Sequence, residues 1–291
     1  MPKENTHLWF SYGLLERIDN IPMLEAISTG LSRYLLGSII PDTFYYTSDR
    51  KILDISEFIH GKDGSPTNAT VLAVLDGMGD PEDLSFILGF ITHCALDITF
   101  HPLVNALSGD YYDNDPARRE EAVFKHRQTE TCMDRMIGND LRIFRLIRPS
   151  LLKGLTFTRI ISSRFGVSEA RLVSVLRRQL FLNALFTSAP VYKALRLLHI
   201  LGIMHSKGML GLFYPGINPG VCIPEPFTFF DPCSGKTITE TLGLGFSRAR
   251  TQALTMMEAA WSYRCGSMGR EELMRVIPGR NLGTGENITP G

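Results

Sequence analysis

Metal-binding residue types recur at one spacing in the stretch Phe90-Ile-Thr-His93-Cys-Ala-Leu-Asp97-Ile-Thr-Phe-His101-Pro102. His93, Asp97 and His101 stand at i, i+4 and i+8. On a helix, at about 100° per residue, they fall within roughly an 80° arc of one face. A rise of about 1.5 Å per residue puts the outer two about 12 Å apart. Zinc–nitrogen and zinc–oxygen bonds are only about 2 Å long, so one ion does not reach both histidines. A carboxylate midway suits two neighbouring ions, either bridging them or serving one with the second beside it. The bland alternative is two core histidines and a capped aspartate. Polar groups buried without partners are too costly to recur at helical spacing by accident. The spacing therefore predicts the spine of a multinuclear metal site.

Other ligand types flank this spine. His126 and Glu130 are again i, i+4, within an amphipathic pattern running from Ala117 to about Ile137, and Asp134 continues the same face. Alone, such a pair is an ordinary surface contact; facing the first cluster it becomes a ligand pair. Upstream, His7 follows Thr6, a candidate helix cap. Pro41 is expected to push Ile40 toward an extended conformation and to present Asp42 at a turn or helix start, where the alternative reading is an N-cap. His60 ends the short helical pattern Asp54-Ile-Ser-Glu57-Phe-Ile-His60-Gly61, with Glu57 a candidate partner and a dipole-satisfied surface group the alternative. Five of the seven histidines (7, 60, 93, 101 and 126) lie in the first 126 residues beside Asp or Glu. His199 and His205 lack such company and read as structural.

The elements that must position these groups read as helices. Residues 21–38, Thr67–Met78 and Pro81–Leu107 carry helical patterns, and Pro102 should kink or end the last of them. Ser108 to Pro116 is dense in turn formers and acidic groups and reads as a solvated loop. Helical segments fill 149–206, where Arg171, Arg177, Arg178 and Arg196 suit a solvated face, with binding the alternative. Lys207 to Cys233 is rich in glycine, proline and aromatics, so it either packs as an Ω-loop or lines an apolar pocket. A last helix is expected over about Thr237–Tyr263, and a loose tail after Pro278.

Composition narrows the class. With 291 residues, 44% hydrophobic and 21% charged, the chain is long enough for one large core, and one domain over 1–291 is favoured. Thirty basic and thirty acidic residues argue against a protein built to coat nucleic acid. The N-terminal residues lack a signal-peptide pattern, and no uninterrupted apolar run reaches 18 residues. The cysteines (94, 132, 222, 233 and 265) are odd in number and form no CxxC pair. This suits a reducing compartment, so a cytoplasmic location is expected and the Asn287-Ile-Thr sequon should be idle.

Taken in order, Thr6-His7, Pro41-Asp42, His60-Gly61, Gly89-Phe-x-x-His93-x-x-x-Asp97-x-x-x-His101-Pro102 and His126-x-x-x-Glu130 resemble the zinc-dependent phospholipase C family, most closely its short bacterial members without a secretion signal. The motif-bearing part is 5–135, followed by a helical remainder over 149–278. The resemblance implies an all-α, single multi-helix domain with a metal cluster in a cleft between helices, like phospholipase C and the single-strand nucleases. It also implies a ligand set. Asp42, His60, His93 and Asp97 would hold one zinc, and His101, His126 and Glu130 a second. His7 and Asp97 would belong to a third, with Asp97 bridging. In secreted members a processed N-terminal tryptophan completes that third zinc; here the nearby tryptophan is Trp9, mid-helix, so two or three ions are expected.

The implied activity is hydrolysis of a phosphodiester, with a phospholipid as substrate, diacylglycerol and a phosphorylated headgroup as products, and peripheral contact with a membrane. Asp42 would position or deprotonate the attacking water, or serve only as a ligand. The aromatic stretch 212–230 is a candidate acyl or interface contact. A zinc-dependent nuclease or other phosphodiesterase is the near rival, but zero net charge and the lack of basic–aromatic interleaving count against nucleic acid as partner. An HD-type phosphohydrolase needs a His-Asp dipeptide, and a ferritin-like di-iron protein needs two Glu-x-x-His helices; the chain has neither. From another class, a non-catalytic, metal-stabilised helical module would bind lipid or a partner through a closed shell.

Overall fold

Polar caps set half of the α-helix starts among the described residues. Asn20, Asp49, Asp80, Asp115, Ser168, Ser188 and Thr241 each accept a backbone N–H from the turn that follows. Proline follows within the first two helical positions after Asn20, Asp80, Asp115 and Ser188, where its missing N–H is not needed. The computed structural model describes residues 3–111, 113–137, 141–218, 223–232 and 234–288.

The order is α1 (Glu4–Leu14), α2 (Ile21–Thr29), α3 (Leu31–Gly37), α4 (Ile40–Thr43), α5 (Arg50–Ile59) and α6 (Asn68–Gly77). The long α7 (Pro81–Ser108) and α8 (Pro116–Met136) follow, then α9 (Ile143–Leu146), α10 (Thr156–Phe165), α11 (Glu169–Phe186) and α12 (Ala189–Ile200). A hairpin of β1 (Phe227–Asp231) and β2 (Lys236–Glu240) leads into α13 (Leu242–Arg264) and α14 (Arg270–Val276). The protein is all-α apart from this one hairpin among the described residues.

Everything is built around α7. By length and composition it could cross a membrane, yet its whole apolar window is buried inside the protein. It packs against α3, α13 and α8, with α1, α2, α6 and the hairpin also in contact. Two glycines let α3 and α7 touch backbone to backbone. A Cβ on Gly37 would lie 2.0 Å from the Phe86 carbonyl oxygen, and one on Gly89 would lie 1.9 Å from that of Tyr34. No other residue fits at either crossing point.

Several local expectations are corrected. α1 starts at Glu4 behind Lys3, so Thr6 is no cap; its N–H and hydroxyl both donate to the Asp134 carboxylate on α8. Gly30 divides 21–38 into α2 and α3. Ile40 is not extended but opens α4, because a proline in the first turn of a helix is tolerated. Of the two outcomes expected at Pro102, α7 does not end there: it runs on to Ser108, with Pro102, Leu103 and Val104 buried. Lys236–Glu240 is a strand paired with Phe227–Asp231, so the last long helix starts at Leu242 rather than Thr237. The tail is not loose up to Ile288: Leu282 is fully buried, and Arg280 bridges to Asn287. The apolar stretch after Lys207 mostly packs, with Phe213, Phe227 and Phe229 buried and Phe230 exposed.

Candidate metal centre

Five elements deliver the eight expected side chains to one region. His7 comes from α1, Asp42 from α4, and His60 from the residue that caps the C-terminus of α5. His93, Asp97 and His101 come from α7, and His126 and Glu130 from α8. Asp97 is the centre. Its oxygens lie 3.3 Å from His7 Nε2, 3.1 Å from His93 Nε2, 3.8 Å from His60 Nε2 and 3.9 Å from His101 Nδ1. Asp42 Oδ1 closes the group, 3.3 Å from His60 Nε2 and 3.8 Å from His93 Nε2. The rings of His7 and His93 stack with centroids 4.0 Å apart.

These contacts resolve into sets of possible ligands. His7, His93 and Asp97 form one, and Asp42, His60 and His93 another, so His93 is shared; within each the ligand atoms lie within 4.8 Å of one another. His101, His126 and Glu130 form a further set, one face-turn along α7, with His126 Nε2 2.8 Å from Glu130 Oε1. The rings of His101 and His126 are 6.0 Å apart, and Tyr111 sits edge-on to His126 at 5.3 Å.

Backbone carbonyls fix how the rings point. A carbonyl only accepts, so a ring nitrogen facing one must donate. His60 Nδ1 donates to the Ser56 carbonyl at 2.7 Å, His93 Nδ1 to that of Ser38 at 3.0 Å, and His101 Nδ1 to that of Leu282. Each ring is thereby locked with Nδ1 protonated and a bare Nε2. This is how metal-binding histidines are held, by a hydrogen bond from the nitrogen away from the ion.

Burial sets the charges. It pulls the imidazoles of His7 and His60 below their ordinary value, and those of His101 and His126 well below it. At His93 burial acts the same way, but the carboxylates of Asp97 and Asp42 outweigh it and the value rises. Burial pushes the Asp97 carboxyl up, yet the rings of His93 and His101 outweigh this and hold it well below the usual carboxylate range. An ionised carboxylate thus lies among largely neutral imidazoles in a buried interior. His7 Nε2, His93 Nε2, Asp42 Oδ1 and both Asp97 oxygens are buried and make no hydrogen bond. Buried polar atoms with nowhere to bond are expensive, and a cation is what this set would satisfy. Imidazole nitrogens with carboxylate oxygens are a donor set that suits zinc.

The surroundings hold groups that sequence reasoning missed or misplaced. Glu57 does not support His60; it pairs with Arg50 at 2.9 Å. Asp134 does not extend the ligand face. It is buried and accepts from Thr6, Asn5 and, at 2.6 Å, the Tyr214 hydroxyl, so α8 holds the first turn of α1 at the residues just before His7. Lys62 holds its ammonium 4.9 Å from the centre of the Tyr45 ring, which in turn tilts against His60 at 5.2 Å. Nothing in the spacing marks Lys62, although a cation following His60-Gly61 suits an anionic substrate. His199 bonds locally to the Met204 carbonyl at 3.0 Å, and His205 is exposed. Trp9 packs edge-on against Phe246 at 5.0 Å.

The family model described as zinc dependent phospholipase C matches residues 6–168, more than half of the chain and all eight side chains. No curated protein and no solved structure matches it.

Proposed function

The chain belongs to the zinc-dependent phospholipase C family, and on that premise we propose that it is a zinc-dependent phosphodiester hydrolase that cleaves a phospholipid in the manner of a phospholipase C. The observation that carries the reading is the set of locked imidazoles. His60, His93 and His101 each spend Nδ1 on a backbone carbonyl; the Nε2 atoms of His60 and His93 face Asp97, while His101 belongs to the set with His126 and Glu130.

In this reading Asp42, His60, His93 and Asp97 hold one zinc, His101, His126 and Glu130 a second, and His7 with Asp97 a third where it is present. Bound zinc supplies Lewis acidity toward the phosphoryl oxygens and makes a water molecule more acidic. The protein's own part is to position and to move protons. Asp42, nearly buried and with Oδ1 making no hydrogen bond, is placed to orient the attacking water and take its proton. Water adds to phosphorus, the bond from phosphorus to the glycerol oxygen breaks, and that oxygen takes up a proton. Lys62, whose ammonium lies against the Tyr45 ring that tilts on His60, would hold the negative headgroup phosphate. The products are diacylglycerol and a phosphorylated headgroup.

We place the protein in the cytoplasm on its sequence, whose five cysteines are scattered and form no CxxC pair. Cys222 and Cys233 lie outside the described residues. The test is turnover of zinc-loaded protein on a glycerophospholipid, a single-stranded oligonucleotide and a small chromogenic phosphodiester. Release of phosphorylated headgroup is the expected result. Cleavage of the oligonucleotide alone would favour a nuclease, and a zinc-loaded protein inert on all three would favour a binding module.

A further inference from the structure

The helix α12 is anomalous for its place in the fold, since none of its residues is buried. A helix laid on a core normally buries one apolar stripe. Here the apolar residues face out: Leu197 is 55% exposed and Ile200 68%, and the turn that follows adds Leu201 at 61% and Ile203 at 65%. Lys193, Arg196, Leu197 and Ile200 stand at i, i+3, i+4 and i+7, on one side of the helix. Single exposed leucines are unremarkable, but a contiguous apolar ridge marks a contact surface.

The charge around the ridge has one sign. Between Ala170 and Pro224 there is no Asp or Glu, while Arg171, Arg177, Arg178, Lys193, Arg196 and Lys207 all fall there. Neither Lys193 nor Arg196 is in an ion pair among the described residues. The carboxylates that meet Lys207 are engaged there: Glu120 accepts from the Lys207 backbone N–H at 2.6 Å, and Glu121 pairs with the Lys207 ammonium at 2.5 Å. Long cationic side chains beside an apolar ridge bury their stems and keep their charge at a polar, anionic boundary.

The turn after the ridge also adjoins a cleft that shares one residue with the surroundings of the metal centre. Ser206 and Gly208, just beyond Ile203, line an open cleft whose other wall is Tyr111, Glu120 and Val123. Tyr111 is the residue whose ring meets His126. An apolar ridge, two cations outside any ion pair among the described residues and a cleft that shares Tyr111 with the surroundings of His126 follow one another along this stretch.

We propose that α12 and the turn after it dock the protein on a phospholipid bilayer that carries anionic lipid, through Leu197, Ile200, Leu201 and Ile203 with Lys193 and Arg196 at the headgroups. This is the arrangement of an interfacial amphipathic helix, apolar side in the acyl boundary and basic residues among the headgroups. The choice of a bilayer over a protein partner rests on the phospholipase C-like reading and on the missing carboxylates; a hydrophobic protein partner or a second copy of this chain would not require either.

The test is co-sedimentation of the zinc-loaded full chain with vesicles of phosphatidylglycerol mixed into phosphatidylcholine, beside vesicles of phosphatidylcholine alone. Wild type should bind the mixed vesicles, and binding should weaken steeply with salt. Leu197→Ser with Ile200→Ser, and separately Lys193→Glu with Arg196→Glu, should each lower that binding by about tenfold or more. Both substitutions are on exposed positions, so circular dichroism and turnover of a small water-soluble phosphodiester should stay within about twofold of wild type. Wild type that ignores anionic vesicles, or variants that bind them equally well, would overturn the proposal. So would a dimer in sedimentation velocity that the serine variant abolishes, since the ridge would then be covered by a second copy. Vesicle binding without any phosphodiester turnover would defeat the proposed reaction and leave the surface standing.

Discussion

Asp97 gathers four imidazoles, those of His7, His60, His93 and His101, within 3.9 Å of its oxygens. That His93, Asp97 and His101 share one helical face was legible from their i, i+4 and i+8 spacing. What spacing could not show is the backbone: the carbonyls of Ser38, Ser56 and Leu282 that set the tautomers carry no side-chain signature, and Leu282 is 181 residues from His101. Nor did it separate Asp134 from the ligands, because a carboxylate on the right face of α8 looks the same whether it meets a metal or the first turn of α1. The buried imidazoles also carry a pH prediction. With folded values lowered from the ordinary 6.5 at His7, His60, His101 and His126, the unfolded chain binds protons that the folded chain refuses. The metal-free protein should therefore lose stability as pH falls below about 6.5, with His93, whose value is raised, offsetting only part. The low value at Asp97 keeps its own contribution intact over this window. Thermal melts of the chelator-treated protein between about pH 7.5 and about pH 5.5 should show a falling Tm, and a flat profile would count against buried neutral histidines.

At the scale of elements, α7 is held where α3 can touch it, and the contact of Gly89 with Tyr34 lies one turn ahead of His93. Gly89→Ala puts a methyl group into a carbonyl oxygen, so the two helices must move apart. The expected loss is about 3 kcal/mol or more, read as a lower denaturant midpoint, with weaker zinc retention because the Ser38 carbonyl leaves His93. A near-wild-type midpoint would mean that the helices do not cross as closely as 1.9 Å implies. The tail makes a second prediction. Truncation after Pro278 removes the Leu282 carbonyl from His101, so the His101–His126–Glu130 set should lose its ion while the set around Asp42 and His60 keeps its own. The measurement is zinc per chain, and retention of the full complement would contradict it. Helix starts were the most legible elements, because Asp-Pro and Ser or Asn caps state them locally. The misread ones, Thr6 and Lys236–Glu240, are those where a tertiary partner or a strand partner across a turn outweighed the local pattern.

At the scale of the whole molecule, the all-α class follows from helical patterning over most of the chain, and the match to the zinc-dependent phospholipase C family ends at residue 168. The rest of the chain closes the site from outside: Leu282 bonds to His101, Tyr214 to Asp134, and α13 packs on α7. That half was the less legible, because packing around a centre leaves no ligand spacing behind. Since each ion binds the folded state alone, removing zinc should lower stability by a few kcal/mol, about 4 kcal/mol per site at a thousandfold excess over Kd, and adding it back should restore the melt. A melt indifferent to chelator would say that the polar cluster stands without metal. The central claim, that Asp97 serves more than one ion, has a direct test in zinc stoichiometry and phosphodiester turnover for wild type, Asp97→Asn and His199→Gln side by side. Two or three zinc ions are predicted for wild type and for His199→Gln. In Asp97→Asn the shape remains but the charge is gone, so repulsion between neighbouring ions is uncompensated, and metal content and turnover should both fall further than in any single histidine variant. Full zinc content and full turnover in Asp97→Asn would contradict the account.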